Sequence, residues 1–132
     1  GDARDLIRRF VDREPKQLVT VQLLAYLDIA TGQPREAVQR LRAWLKDHPE
    51  ATLPARAIAR VQLAVAVERA GDPRAAAELY REVIRMDPQN WTAWRNLAQL
   101  YRAGGSTEQA ETIYRYLRAR GVRAEAVGAG SP

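Results

Sequence analysis

The sequence has no cysteine, one histidine (His48), one methionine, and only two lysines (Lys16 and Lys46). Without cysteine there are no disulfides, zinc ribbons or thiol nucleophiles. The redox compartment stays open, since cysteine-free chains suit either kind. No apolar run approaches the roughly 18 residues needed to span a bilayer, so no membrane insertion by this stretch is expected. The first ten residues already carry Asp2, Arg4, Asp5, Arg8 and Arg9 and show no targeting signal, which concerns this stretch alone and leaves the location, cytoplasmic or periplasmic, unknown. Serine is scarce too: Ser106 and Ser131, with the lone His48, offer no Ser/His/Asp set. Gly104-Gly105 lacks a following Gly-Lys-Ser/Thr and makes no phosphate cradle. The carboxylates lie among arginines at helical spacing, as solvated faces do, without paired metal-ligand spacing. The expectation is a chain that is not an enzyme and uses no cofactor and no metal.

What is present is a globular composition. Of 132 residues, 46% are hydrophobic and 28% charged, which is far from the disordered class. The net charge is +5, carried almost entirely by arginine. The arginines run along the whole chain rather than gathering in one block.

A repeat is written into the spacing. Gly71, Ala76 and Tyr80 recur 34 residues later as Gly105, Ala110 and Tyr114, and Leu63-Ala64 recurs as Leu97-Ala98. Near the start, Ala3, Ile7, Phe10 and Pro15 recur at the same offset as Ala37, Leu41, Trp44 and Pro49. Between the two sets the offset is 39 (Gly32 to Gly71, Ala37 to Ala76, Pro49 to Pro88), so five residues are inserted near Thr52 to Arg56. A fixed period of this size signals stacked supersecondary units.

Each unit reads as two helices, because apolar residues recur at helical rather than alternating spacing. Gly32, Gly71 and Gly105 supply the permissive backbone at a helix end. Pro34 and Pro73 suit a first helical turn. Asp72 is an expected N-cap, and Ser106 with Gln109 fits a capping box. Pro15, Pro49 and Pro88 close the second helix of each unit. The spacing predicts a helix over about 2–13, then pairs over about 16–30 with 35–46, 55–70 with 73–85, and 91–103 with 107–120. The last dozen residues are expected to be a frayed tail, with at most one helical turn near Arg123–Val127.

These residues resemble the tetratricopeptide repeat. That family's 34-residue unit places an aromatic, then leucine and a small residue, then tyrosine, glycine, alanine, a third aromatic, a small residue and proline in fixed order. The unit from Trp91 carries Trp94, Leu97, Ala98, Tyr101, Gly105, Ala110 and Tyr114. The unit from Ala57 carries Leu63, Ala64, Gly71, Ala76, Tyr80 and Pro88, with Arg60 and Val67 at its first two aromatic positions. The unit from Leu18 carries Leu24, Ala25, Gly32, Ala37 and Pro49, with Asp28 where tyrosine is usual. The resemblance implies an all-α fold: a right-handed α-solenoid of antiparallel helix pairs, about seven helices, three full repeats and a preceding half. The expected divisions are 1–15 for the second helix of a truncated repeat, 16–51, 52–90 and 91–120 for repeats one to three, and 121–132 for the tail. A chain that starts within a repeat is expected to be part of a longer array, and exposed apolar residues such as Leu6 and Phe10 at its end favour a homodimer.

Such a stack implies a concave face lined by the first helices. By register, the partner-binding candidates are Gln22 and Tyr26 from repeat one; Ile58, Val61, Gln62, Val65 and Arg69 from repeat two; and Arg95, Asn96, Gln99 and Arg102 from repeat three. Tyr26 is the candidate aromatic contact, while Trp44, Trp94, Tyr80, Tyr101 and Tyr114 occupy core positions. Asn96 beside Arg95 is reminiscent of the clamp by which some chaperone-binding relatives hold a terminal carboxylate, but Gln22 and Tyr26 replace the other clamp residues, so that specificity is not expected. The leading function is a non-catalytic protein-protein interaction scaffold whose groove takes a peptide or partner segment, with arginines favouring an acidic one. The alternatives are a scaffold arm of a larger enzyme or of an envelope-biogenesis or secretion assembly, and nucleic-acid binding through the spread basic surface.

Overall fold

The computed structural model describes residues 3–5 and 18–123. Residues 3–5 are helical. Six helices follow: α1 (Leu18–Ala30), α2 (Pro34–Asp47), α3 (Leu53–Arg69), α4 (Pro73–Met86), α5 (Trp91–Ala103) and α6 (Thr107–Ala119). The described residues contain no strand. The fold is an all-α helical repeat. Leu6 and Phe10, on which end-to-end pairing was expected, and the tail turn beyond Arg123 lie outside the described residues.

The same turn is made three times. Three residues separate α1 from α2, α3 from α4 and α5 from α6, each with glycine in the middle at φ of 79°, 102° and 86° for Gly32, Gly71 and Gly105. Only a residue without Cβ adopts this conformation cheaply. The amides of Gln33, Asp72 and Ser106 reach back five residues to the carbonyls of Asp28, Val67 and Tyr101, while the glycine amides bond three residues back to Ile29, Glu68 and Arg102. This paired pattern is the Schellman motif, and it satisfies carbonyls that the helix end orphans.

Helix starts are less uniform. The Asp72 carboxylate accepts from the Ala75 amide at 3.1 Å, as expected of an N-cap. Asn90 does the same for Ala93 at 3.1 Å. Ser106 differs from expectation: its side chain makes no capping bond, so the Ser106–Gln109 capping box is not formed. After the same turn the longer Asp72 carboxylate reaches the Ala75 amide, and the short Ser106 hydroxyl makes no such bond.

The five inserted residues have a structural use. Thr52 caps α3 through its hydroxyl, and the two extra residues Leu53 and Pro54 lengthen that helix to 17 residues. Arg56 donates to the carbonyls of His48 (2.8 Å) and Leu45 (3.4 Å) at the end of α2, and the His48 carbonyl also accepts from the Ala51 amide at 3.1 Å. His48 stacks on Trp44 with ring centroids 4.7 Å apart, and its Nδ1 lies 2.9 Å from the Trp44 carbonyl.

The chain divides into two compact units, residues 1–79 and 80–132, with α4 running across the division. In the first, Leu24, Ala25, Leu41, Trp44, Leu63 and Ala64 are buried, and α2 packs between its neighbours in sequence, α1 and α3. In the second, α5 packs on α6 around Leu97, Ala98, Ala110, Tyr114 and Leu117. Alanine recurs in both cores because a side chain of one methyl group lets two helix backbones approach closely.

Candidate protein-binding face

In the first unit, α1 and α3 lie side by side. The Gln62 side-chain amide donates to the Gln22 backbone carbonyl at 2.8 Å, which ties the two helices together. Along α1, Val19, Leu23 and Tyr26 fall at i, i+4 and i+7 and so share one face. All three are exposed, Tyr26 by 65%. Along α3, Ile58, Gln62, Val65 and Arg69 form a matching stripe. Ile58 is exposed, Gln62 and Val65 are half-buried, and Arg69 is exposed at the C-terminal end. Val61 is half-buried beside them.

Seven of the residues expected from sequence therefore sit on these two neighbouring helices. Leu23 and Val19 are not among the binding candidates expected from sequence, yet both are large, apolar and exposed. Large exposed apolar residues scattered singly mean little, whereas a contiguous set on adjacent helices marks an interaction surface.

The remaining four lie on α5 in the second unit. Gln99 and Arg102 are exposed; Arg95 and Asn96 are half-buried. The Arg102 guanidinium sits 5.7 Å from the Tyr114 ring centroid. Arg95 donates to the Arg123 carbonyl at 3.2 Å, so its guanidinium is engaged by the chain that follows α6. Elsewhere in this unit, Arg81 donates to the Tyr101 hydroxyl at 2.6 Å. Trp94 is half-buried, not fully buried; its indole N–H donates to the Pro88 carbonyl at 2.9 Å and its ring packs 4.7 Å from that of Tyr116. Arg120 lies 3.9 Å over the other ring of that pair, Tyr116.

The residue that sequence reasoning noticed but left without a partner is Asp28. It is fully buried, and it is held by Arg4 at 3.0 Å and Arg40 at 3.1 Å. Among the described residues no group of three His, Cys, Asp or Glu side chains could hold a metal ion. No described helix is long and apolar enough to cross a membrane.

Comparison with known proteins agrees with this architecture. The tetratricopeptide repeat model matches residues 23–73 and again residues 61–124. Among solved structures, a kinesin light chain-like protein of Podosopora anserina with nearly identical TPR-like repeats is 24% identical, with a TM-score of 0.69 over 85% of this chain and 60% of that one. MamA is 18% identical, with a TM-score of 0.64 over 86% of this chain and 63% of that one. The chain spans about three-fifths of the length of these structures. No curated protein matches it. With the repeat turn made three times and the family pattern matched across most of its length, the chain belongs to the tetratricopeptide repeat family, whose helical pairs serve in general as non-catalytic scaffolds for protein–protein interaction.

Proposed function

We propose that the chain binds a segment of a partner protein through the α1–α3 face of its first unit. One observation carries this reading: Val19, Leu23 and Tyr26 on α1 and Ile58 on α3 are exposed by 44–65% on two helices that are bonded to each other. Burying such a set under a partner gains about 25 cal/mol per Å² of apolar surface covered. Tyr26 is the anchor, because an aromatic ring offers a large contact area on few rotatable bonds.

The occupant is an apolar segment with a carboxylate near one end. Arg69 closes the α3 stripe with an exposed guanidinium, the chain carries a net charge of +5, and Gln22 and Gln62 keep the middle of the face uncharged. A guanidinium–carboxylate pair made there is planar and bidentate, which sets direction as well as affinity. In the second unit, Gln99 and Arg102 offer polar and basic contacts of their own on α5. The repeats proposed to carry these faces are 16–51, 52–90 and 91–120.

Selection of the full chain against a displayed library of random peptides tests the reading. The expected survivors carry aromatic or branched apolar residues with an acid to one side. Tyr26→Ala combined with Ile58→Asp should weaken them at least about thirtyfold, the ratio that corresponds to ~2 kcal/mol at an interface hot spot. Arg69→Glu should weaken the acidic ones selectively. Enriched peptides that bind these variants unchanged would refute the assignment of the face.

A further inference from the structure

Asp28 stands at the repeat position where the family usually has tyrosine, and no water reaches it. An isolated buried carboxylate is costly, so its partners must be placed with care. Arg40 comes from α2 of the same helical pair, at 3.1 Å from Oδ2. Arg4 comes from the helical residues 3–5, at 3.0 Å from Oδ1. Four acceptors surround the Arg4 guanidinium: Asp28, Glu36 at 3.0 Å, Gln33, and Thr31 at 3.5 Å. They come from the end of α1, the turn, and the start of α2. Together they form a socket for one arginine.

The repeat register makes this socket unusual within its own chain. Counting 39 residues on from Asp28 and Arg40 gives Val67 and Leu79, and counting 34 on from Arg4 gives Val38. The charged trio is therefore replaced by a wholly apolar one at the next equivalent place, where Val67 is buried and Val38 and Leu79 are half-buried. Two chemically incompatible versions of one packing position exist in a single chain. A helix bringing valine in place of Arg4 would leave the Asp28 carboxylate short of a partner. A helix bringing arginine to Val67 would bury a guanidinium against aliphatic carbon.

We propose that Asp28, with Arg40, makes the outer face of the α1–α2 pair selective for a helix that presents an arginine, so that the order of helices at this junction is set by charge rather than by apolar fit. Asp28 acts here as a specificity determinant for what packs on repeat one, and Arg4 is its present occupant. This assignment stands apart from the α1–α3 binding face and survives if that proposal fails.

The test exploits the absence of cysteine. A nitroxide attached at Ala3→Cys, an exposed site, broadens the backbone amide signals of Thr31 and Glu36 whenever the helix bearing Arg4 is docked. Four full-length chains are compared: arginine or valine at position 4, each with the native pair or with Asp28→Val plus Arg40→Leu. The expected result is an inversion. With the native pair, Arg4→Val should lower the docked-to-undocked ratio at least about tenfold. With the apolar pair, the chain that keeps Arg4 should be the undocked one and Arg4→Val should restore docking. Docking that is indifferent to Arg4→Val in the native background, or a preference that fails to invert, would overturn the proposal. If the apolar pair does not fold, the near-isosteric Asp28→Asn decides: unchanged broadening with Arg4 in place refutes the socket, and a tenfold loss supports it.

Discussion

Replacing Tyr26 by alanine and, separately, its near neighbour Leu24 by alanine distinguishes a binding face from a poorly covered core. Both residues lie in the middle of α1, so end effects act on each alike, while the gain in helix propensity on going to alanine is larger for tyrosine than for leucine. Tyr26 is 65% exposed and Leu24 only 1%. About a third of a tyrosine's ~200 Å² is therefore covered, roughly 70 Å², which at ~25 cal/mol per Å² is worth ~1.7 kcal/mol at most. Alanine returns part of that by its higher helix propensity, up to ~0.7 kcal/mol. The net loss on Tyr26→Ala is then about 1 kcal/mol. Leu24→Ala removes a buried side chain and leaves a cavity, for a loss of about 2.7–5 kcal/mol. Urea unfolding followed by far-ultraviolet circular dichroism reads both, and the comparison holds where the slope with urea is unchanged. A Tyr26→Ala loss equal to that of Leu24→Ala would mean that the ring belongs to the core, and the binding face would lose its anchor.

The turns and caps give sharper expectations. Asp72→Ala should cost about 1 kcal/mol because it removes a formed cap, whereas Ser106→Ala, which removes no capping bond, should stay within about 0.5 kcal/mol; parallel thermal melts compare them. Arg56→Ala should cost about 1 kcal/mol by removing its hydrogen bonds to the end of α2, the His48 carbonyl keeping the Ala51 amide, and the His48–Trp44 stack beside it should report the loosening as a change in tryptophan fluorescence. Gly71→Ala meets no neighbouring atom, yet φ of 102° should make it lose about 1–2 kcal/mol in an unfolding titration; a neutral result would mean that the turn readily takes another shape.

The helical pairs were legible because period, turn and small residue all repeat together. Agreement between Gly32, Gly71 and Gly105 and the alanines at fixed distance from them is stronger than any single propensity, since each level points to the same hairpin. The insertion was legible as a change of offset, but its purpose was not. That Arg56 reaches back to the end of α2 depends on one guanidinium among many along an arginine-rich chain, and spacing alone does not choose between them. Asp28 shows the same limit. Its departure from the tyrosine pattern is visible, but its partners lie 24 residues before and 12 after, and only the fold brings them to it. The Ser106 capping box is not formed for a local reason: after the same Schellman turn the longer Asp72 carboxylate reaches the Ala75 amide, whereas the short Ser106 hydroxyl makes no such bond, so residue type at the right spacing does not by itself make a cap.

The proposed binding face follows from a surplus. A helix at the surface of a repeat needs one apolar stripe to hold its pair together, as α2 shows with Ala37, Leu41 and Trp44 inside and Arg35, Arg42 and Lys46 outside. In α1 the only polar residues besides Tyr26 are Thr20, Gln22 and Asp28, and two of these three are buried. Leu24, Ala25 and Val21 already satisfy its packing, so Val19, Leu23 and Tyr26 are apolar beyond what the hairpin requires. The same holds for Ile58 on α3, whose inner face is supplied by Ala57, Ala59, Leu63 and Ala64. Apolar side chains that stability does not need cost solubility and invite misassociation. Their confinement to two adjoining helices, with arginine at one edge, is what the proposed partner would cover. Polar replacement of Leu23 should accordingly leave the melting temperature nearly unchanged while it weakens the peptides selected on the native face; a fall in stability as large as that expected of Leu24→Ala would place this surplus back in the core.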